Sequence, residues 1–461
     1  AGVVGTVSVG NANTATLTLD GTNYDTNGAT VYEAVSGSGS ILITGASVSI
    51  TTDDDALTFD AGNIVLSTAG TTTISTGTGG GNLTIDGTID GTASQAENLT
   101  VTTGTGSATF DGTIGGTTPL TTISINASGS GAINLVGIGD TDTVGTTGGG
   151  TATVGHTSTT TLTLDGSFYS TDGLQLYTAV TGAGNIDITG SSAAFTTTND
   201  NVSFATSGVD LANNGTTTIN TGTGAGAVTF GAALESNGGN NDVLTITSGT
   251  GTVTFTGAVG ATEELGGLNV NASAGTGEIV FTSTIGDTTG TQAGVIGTTD
   301  IGNTTTAKVN FDAALYSFDG TTTFEASDTT NSGETFDIST ATTIETQGDT
   351  LSFTGGTIDL DNGANLTMTS SGGAITVNGV VGTSSETVSI SAGTTDGNTD
   401  TVSITGNIGN ADEILSVAIT GADGITLTGT TIDTADAANP NISFTGPVTV
   451  AGTVEVTSNN T

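Results

Sequence analysis

The 461-residue chain carries 44 acidic residues against one lysine and no arginine, a formal net charge of −43. A surface this anionic repels nucleic acid and anionic lipid, which are bound by neutralising phosphates with Lys and Arg, so neither is an expected partner. The absence of cysteine removes disulfides and thiolate metal sites, and no apolar run approaches the ~20 residues of a membrane-spanning helix, so no membrane insertion is expected.

The opening "AGVVGTVSVG" has neither an initiator Met nor a basic-then-apolar leader, and reads as a processed segment from which a secretion signal has been removed. It is followed by "TLTLDGTNYDTNGATVYEAV" (16–35), where apolar residues alternate with Thr and Asp, the period of a half-buried strand. With 33% hydrophobic residues and a mean hydropathy of +0.13, the chain is too apolar for disorder. "TTDDDALTF" (51–59) is a polar corner with Asp53, Asp54 and Asp55. Strand-like runs then recur up to "TGTGSATFDGTIGGTTPLTTISINA" (103–127) and "GDTDTVG" (139–145).

From residue 148 the text begins again. "TLTLDGSFYSTDGLQLYTAV" (161–180) matches residues 16–35 at an offset of 145, and that offset pairs Leu99 with Leu244, Phe110 with Phe255 and Ile125 with Val270. A third copy starts near "KVNFDAALYSFDG" (308–320), where Tyr316 answers Tyr169 and Phe353 answers Phe204. Three superrepeats of roughly 147 residues are expected, at 1–147, 148–296 and 297–427, followed by a strand-rich tail at 428–461 suited to contact between subunits.

Within a superrepeat the beat is shorter. Phe204, Phe230, Phe255 and Phe281 are spaced 26, 25 and 26 apart, and their first-copy counterparts are Phe59, Ile85, Phe110 and Leu135. A period of this length means stacked units that cannot bury their apolar faces alone. The predicted fold is therefore all-β, a parallel β-helix (β-solenoid) of about 18 coils, with strands stacked ~4.8 Å apart in a rod ~90 Å long. An antiparallel array of sandwiches would call for more hairpin turns and clearer linkers.

The repeated "GTVTFTGAVG…L..L.V" pattern resembles the β-strand repeats of filamentous-haemagglutinin-like and autotransporter-type bacterial surface proteins over most of residues 1–427. The acidic, Thr/Gly/Asp-rich, cysteine-free composition is also similar to surface-layer proteins. The resemblance implies an exported, rod-like β-solenoid at the cell surface.

Chemistry is scarce. Lyases of the β-helix class need cationic side chains, and Lys308 is the only one here. His156, in "TVGHTSTTTLT", lacks the partners of a zinc site or a triad. A carboxylate-pair glycosidase would need two acids ~5–9 Å apart, yet "TTDDD" becomes "TTTND" in the second copy, with Asp200 the one acid left. No catalytic residue is expected, and the chain is read as a non-enzyme that requires no cofactor. Calcium is the one ligand carried forward, because alternating acids resemble the first half of a Ca²⁺ loop. Its candidate ligands are Asp396, Asn398 and Asp400, Asp359 and Asp361 beside Asn362, and Asp140 and Asp142. Asn and Asp are equally ordinary turn residues. The N-x-[ST] triplets at Asn98, Asn126 and Asn201 are as frequent as chance allows in so Thr-rich a chain.

The expected function is architectural: an extracellular protein that joins end to end through bare terminal coils into a surface filament, sheath or surface layer. An adhesin stalk, with cell-surface glycans as candidate partners, is the alternative. Ice binding through Thr arrays such as "TATLTL" and "TTTIST" comes third, because the variable coil length argues against a lattice-matched face.

Overall fold

Alternation decides the local structure. In Leu57–Asp60 the side chains of Leu57 and Phe59 are buried while Thr58 and Asp60 are half-exposed, and the same two-residue pattern repeats along the chain. β-branched Thr, Val and Ile suit a pleated surface, and Gly, Asn and Asp at the corners stop each strand within six residues. The computed structural model describes residues 5–36, 40–92, 96–126, 128–141, 144–239, 241–327, 335–393, 400–410, 412–435 and 441–458. Among them every regular element is a β-strand, and no helix is long and apolar enough to cross a membrane.

The strands pair in parallel, each with the equivalent strand one turn earlier and one turn later, so the antiparallel sandwich array does not form. Three strands make a turn, and the β-solenoid has about 17 turns, against the expected 18. The chain divides into two compact units, residues 1–232 and 233–461, a division that falls inside the second superrepeat.

In unit 1 the first face runs from Val7–Gly10 through Thr30–Glu33 and Leu57–Asp60 to Val209–Leu211. The second face starts at Thr16–Leu19, narrows to single-residue bridges at Ile114 and Ile138, and resumes at Phe168–Thr171. The third face starts at Asn23–Thr26 and includes Gly70–Ser75, Glu97–Thr102 and Thr122–Ile125. Unit 2 has the same plan, its three faces starting at Leu234–Ser236, Val243–Thr247 and Val253–Phe255.

The 25-residue beat is the ladder register. Phe59, Ile85, Phe110 and Leu135 are consecutive partners on the first face of unit 1. On the third face of unit 2, Phe255, Phe281 and Phe311 stack with ring centroids 5.1 and 6.1 Å apart and interplanar angles of 8° and 22°. All of these side chains are at most 1% exposed. Each offset stack adds about 0.5–1.5 kcal/mol beyond area burial.

Variation in turn length is confined to the corners. Six residues join Asp90 to Glu97, whereas thirteen join Ile138 to Ala152, yet Ile123 still pairs Ala152 and Ile125 pairs Val154.

The superrepeat is not a whole number of turns. From Phe59 the ladder climbs five turns, through Ile85, Phe110, Leu135 and Leu164 to Ile188, and Phe204 lies two faces further on. Within unit 2, Phe255 on the third face and its third-copy counterpart Ile404 on the second are related in the same way. One superrepeat therefore advances seventeen faces and slips by one face per copy.

Candidate functional site

Most of the polar residues that recur in register are corner staples. Gly10, Gly155 and Gly302 occupy the same place in the three copies at φ 86°, 82° and 81°. At each, a Cβ would lie 2.1 Å from a carbonyl oxygen of the next turn, so only glycine fits. The next residue caps the corner: the side-chain oxygens of Asn11 and Asn303 accept the N–H two residues on, at 2.9 and 2.8 Å. His156 stands at the matching position in the second copy, and its Nδ1 accepts the Ser158 N–H at 3.3 Å. The lone histidine thus performs the task of an asparagine.

Tyrosines follow the same logic. The hydroxyls of Tyr24, Tyr169 and Tyr316 accept the N–H three residues earlier, from Gly21, Gly166 and Ala313, at 2.6, 2.8 and 2.9 Å. Asp54 and its counterpart Asn199 sit at φ 64° and 66°, and their Oδ1 atoms accept the amides of Gly79 and Gly224. An amide does the work of the carboxylate there, so the "TTDDD" charges serve a corner. Each copy also buries one acid ahead of a long strand: Glu97, Asp242 and Glu386, all at most 1% exposed. Glu386 is held by several donors. It accepts Gly363 N–H at 2.8 Å, Thr383 N–H at 2.6 Å and Thr383 Oγ1 at 2.8 Å, as well as the Ser385 hydroxyl. Burial alone would raise its pKa, but the hydroxyl of Ser385 and these other donors outweigh it and lower the carboxyl to about 2.

The calcium candidates scatter. Asp359 points out from strand Ile358–Leu360, stacked in register between Asp337 and Val381, and Asp361 follows at the corner. These two share a recess of about 490 Å³ with Asp412, Glu413, Thr383 and Ser384. Asp412 and Glu413 were not singled out from the sequence. Their signal was positional: "GNADE" replaces "GGTTP" of the first copy. In the first two copies Asp90 and Glu235 accept the amides of that loop, from Thr117 and Thr118 and from Thr262 and Glu263, whereas the third copy has Val381 at that place. Asp400 is buried elsewhere, its N–H donating to Asp423 at 3.1 Å, and Asp140 lies in unit 1. Asp142, Asp396 and Asn398 fall outside the described residues. Among the described residues no three His, Cys, Asp or Glu side chains converge to hold a metal ion.

No family model, curated protein or solved structure matches this chain. Its chemistry is therefore read from its own residues. Lys308 is half-buried and forms an ion pair with Asp337 at 2.9 Å. On the first face of unit 1, Glu33 pairs Asp60 in register, and Asp86 and Asp111 continue the column. Burial, followed by the charges of Asp60 and Asp111, raises the Asp86 carboxyl above its ordinary value. Of the N-x-[ST] asparagines, Asn126 is buried with its Oδ1 accepting Thr103 N–H at 2.8 Å, Asn98 is half-buried and Asn201 is exposed.

Proposed function

We propose that the chain is an architectural segment of an exported bacterial surface structure, a filament, sheath or surface layer, in which copies join end to end. The observation that supports this reading is the parallel stacking itself, because a turn with the same inward–outward alternation extends the ladders whether it comes from the same chain or from another copy, as at the last described turn of unit 2. Val448 and Val450 continue the ladders of buried Ile425 and Leu427, and Val456 continues that of Ile432, yet the three valines are 45%, 57% and 48% exposed. Among the described residues, the strands of this turn pair on one side only. Covering each half-exposed valine is worth about 1 kcal/mol, before the backbone hydrogen bonds that a further turn would add.

The first described turn of unit 1 offers ladders of the same kind. Val7–Gly10, Thr16–Leu19 and Asn23–Thr26 each pair on one side, and Val7, Val9, Leu17 and Tyr24 are half-exposed. A first turn stacked on a last turn is a heterologous contact, which propagates. The resemblance to filamentous-haemagglutinin-like, autotransporter-type and surface-layer proteins agrees with this reading and with an extracellular location.

Negative-stain microscopy of the purified chain, with Ca²⁺ or EDTA present, should show end-to-end filaments. The Val448→Asp/Val450→Asp variant should give single particles with unchanged β-type circular dichroism. Filaments that survive the double substitution, or none from the unaltered chain at any ionic strength, would overturn the proposal. Filaments indifferent to both Ca²⁺ and EDTA would remove calcium from it.

A further inference from the structure

The acidic residues are unevenly distributed over the faces. The first face of unit 1 carries the column Glu33, Asp60, Asp86 and Asp111, but its third face, beyond Asp25 in the first described turn, presents an uncharged array of hydroxyls. Its central column is Ser49, Thr73, Thr100, Ser124 and Thr153, in register over five consecutive turns. Columns containing Thr71 and Thr122 on one side, and Ser75 and Thr102 on the other, flank it. The five central side chains are half-exposed, and their hydroxyls make no hydrogen bond to another described residue. Unit 2 has a related array on the matching strands of the superrepeat, where Thr369, Ser391, Thr420 and Thr445 form a column that answers the Ser75 and Thr102 flank, beside Thr367 and Ser389.

We propose that these two hydroxyl faces bind ice. The argument is one of spacing and charge. Parallel strands place equivalent residues ~4.8 Å apart along a column. In water, two O–H···O bonds of about 2.75 Å meeting at the tetrahedral angle put next-nearest oxygens about 4.5 Å apart, so each hydroxyl column nearly repeats the period of a hydrogen-bonded water lattice. The mismatch of ~0.3 Å per step grows to only ~1.2 Å over the four steps of a five-turn column, less than a third of a lattice step. Carboxylates would instead hold their own strongly bound shells of water; no outward-facing one lies within the five turns of the unit 1 array, which Asp25 borders one turn earlier, and in unit 2 Glu345 stands at the foot of the Thr369 column. The variable coil length does not disturb the match, because it is taken up at the corners.

A second copy is the less suitable occupant. Five turns by three columns span on the order of 24 Å by 15 Å, less than half the ~800 Å² per partner of a stable protein interface. Ice binding stands apart from the architectural reading, since polymers and ice affinity are scored by different measurements.

The test uses the full chain, with freezing-point hysteresis and the shape of growing ice crystals as readouts. The unaltered protein should open a hysteresis gap and facet the crystals. A variant carrying Thr73→Tyr, Thr100→Tyr, Thr369→Tyr and Ser391→Tyr should lose both effects while keeping its circular dichroism. The control Thr58→Tyr/Thr84→Tyr, on the acidic face, should retain them. Round crystals without hysteresis from the unaltered chain would overturn the inference, and so would full activity in the four-site variant or loss in the control. It would fall equally if the faces proved to hold an insoluble glycan or a second copy, seen as pull-down or dimerisation that the four-site variant abolishes without any effect on ice.

Discussion

Replacing Tyr169 by Phe removes one oxygen and leaves the ring in place, stacked on Phe195 with centroids 4.8 Å apart. What is lost is a double staple: the hydroxyl accepts Gly166 N–H at 2.8 Å and donates to Leu135 C=O, one turn earlier, at 2.8 Å. Both partners lie in a corner that water does not reach, since Tyr169 is 0% exposed. The Leu135 carbonyl still accepts Asp165 N–H at 3.0 Å, so the Gly166 N–H is the group left orphaned, and the substitution should destabilise its region by about 1–3 kcal/mol. Tyr24→Phe removes a single bond, to Gly21, in a half-exposed first turn, and should cost only about 0.5–1 kcal/mol. Stacked repeats open locally, so native-state hydrogen exchange is the right assay, with urea unfolding by circular dichroism beside it. Protection of the Gly166 amide should fall about 5- to 150-fold. Equal costs for the two variants, or a Tyr169→Phe cost below about 0.5 kcal/mol, would refute the idea that the tyrosines are retained for their hydroxyls.

Burial raises the Tyr169, Tyr177 and Tyr316 hydroxyls well above the usual tyrosine range, so their contribution to stability is complete below pH ~10 and lost as pH rises beyond it. Absorbance titration should show these three ionising only as the β-type circular dichroism disappears. Glu386 has the opposite sign: with its pKa lowered to about 2, its contribution is present above the ordinary carboxyl value and lost as pH falls from ~4.5 towards 2, and Glu386→Gln should flatten the acid limb of the melting curve. Trypsin should leave the native chain intact for hours, because Lys308, the sole cleavage site, is paired with Asp337 and its carbonyl accepts Ile279 N–H at 2.9 Å. Rapid cutting into two pieces would show that the ladder is open at that point.

Strand alternation and the 25-residue beat were legible in the sequence because the inward positions hold large apolar residues in register, as Phe59, Ile85 and Phe110 do. The parallel pairing followed from the same period. The one-face slip was not legible. It depends on the second-face strands at Ile114 and Ile138 shrinking to single-residue bridges, which carry almost no pattern of their own. The polar repeats were harder still, since Asn, Asp and Tyr at a corner look alike whether they bind a ligand or staple the backbone. Only the partners of Asp54, Tyr169 and His156 separate the two. Asp359 and Asp361 were found together, but Asp412 and Glu413 come from the following turn, and that neighbour is set by the ladder and not by local spacing.

The one-face slip bears on how such a gene can lengthen. If the duplicated block had to equal a whole number of turns, nearly every unequal recombination would yield a chain that could not close. Here the tolerated step is a single strand, because any face accepts any strand with the inward–outward alternation. Copying errors of many lengths would then remain foldable. A chain grown in this way also turns each inherited ornament to the neighbouring side from one copy to the next.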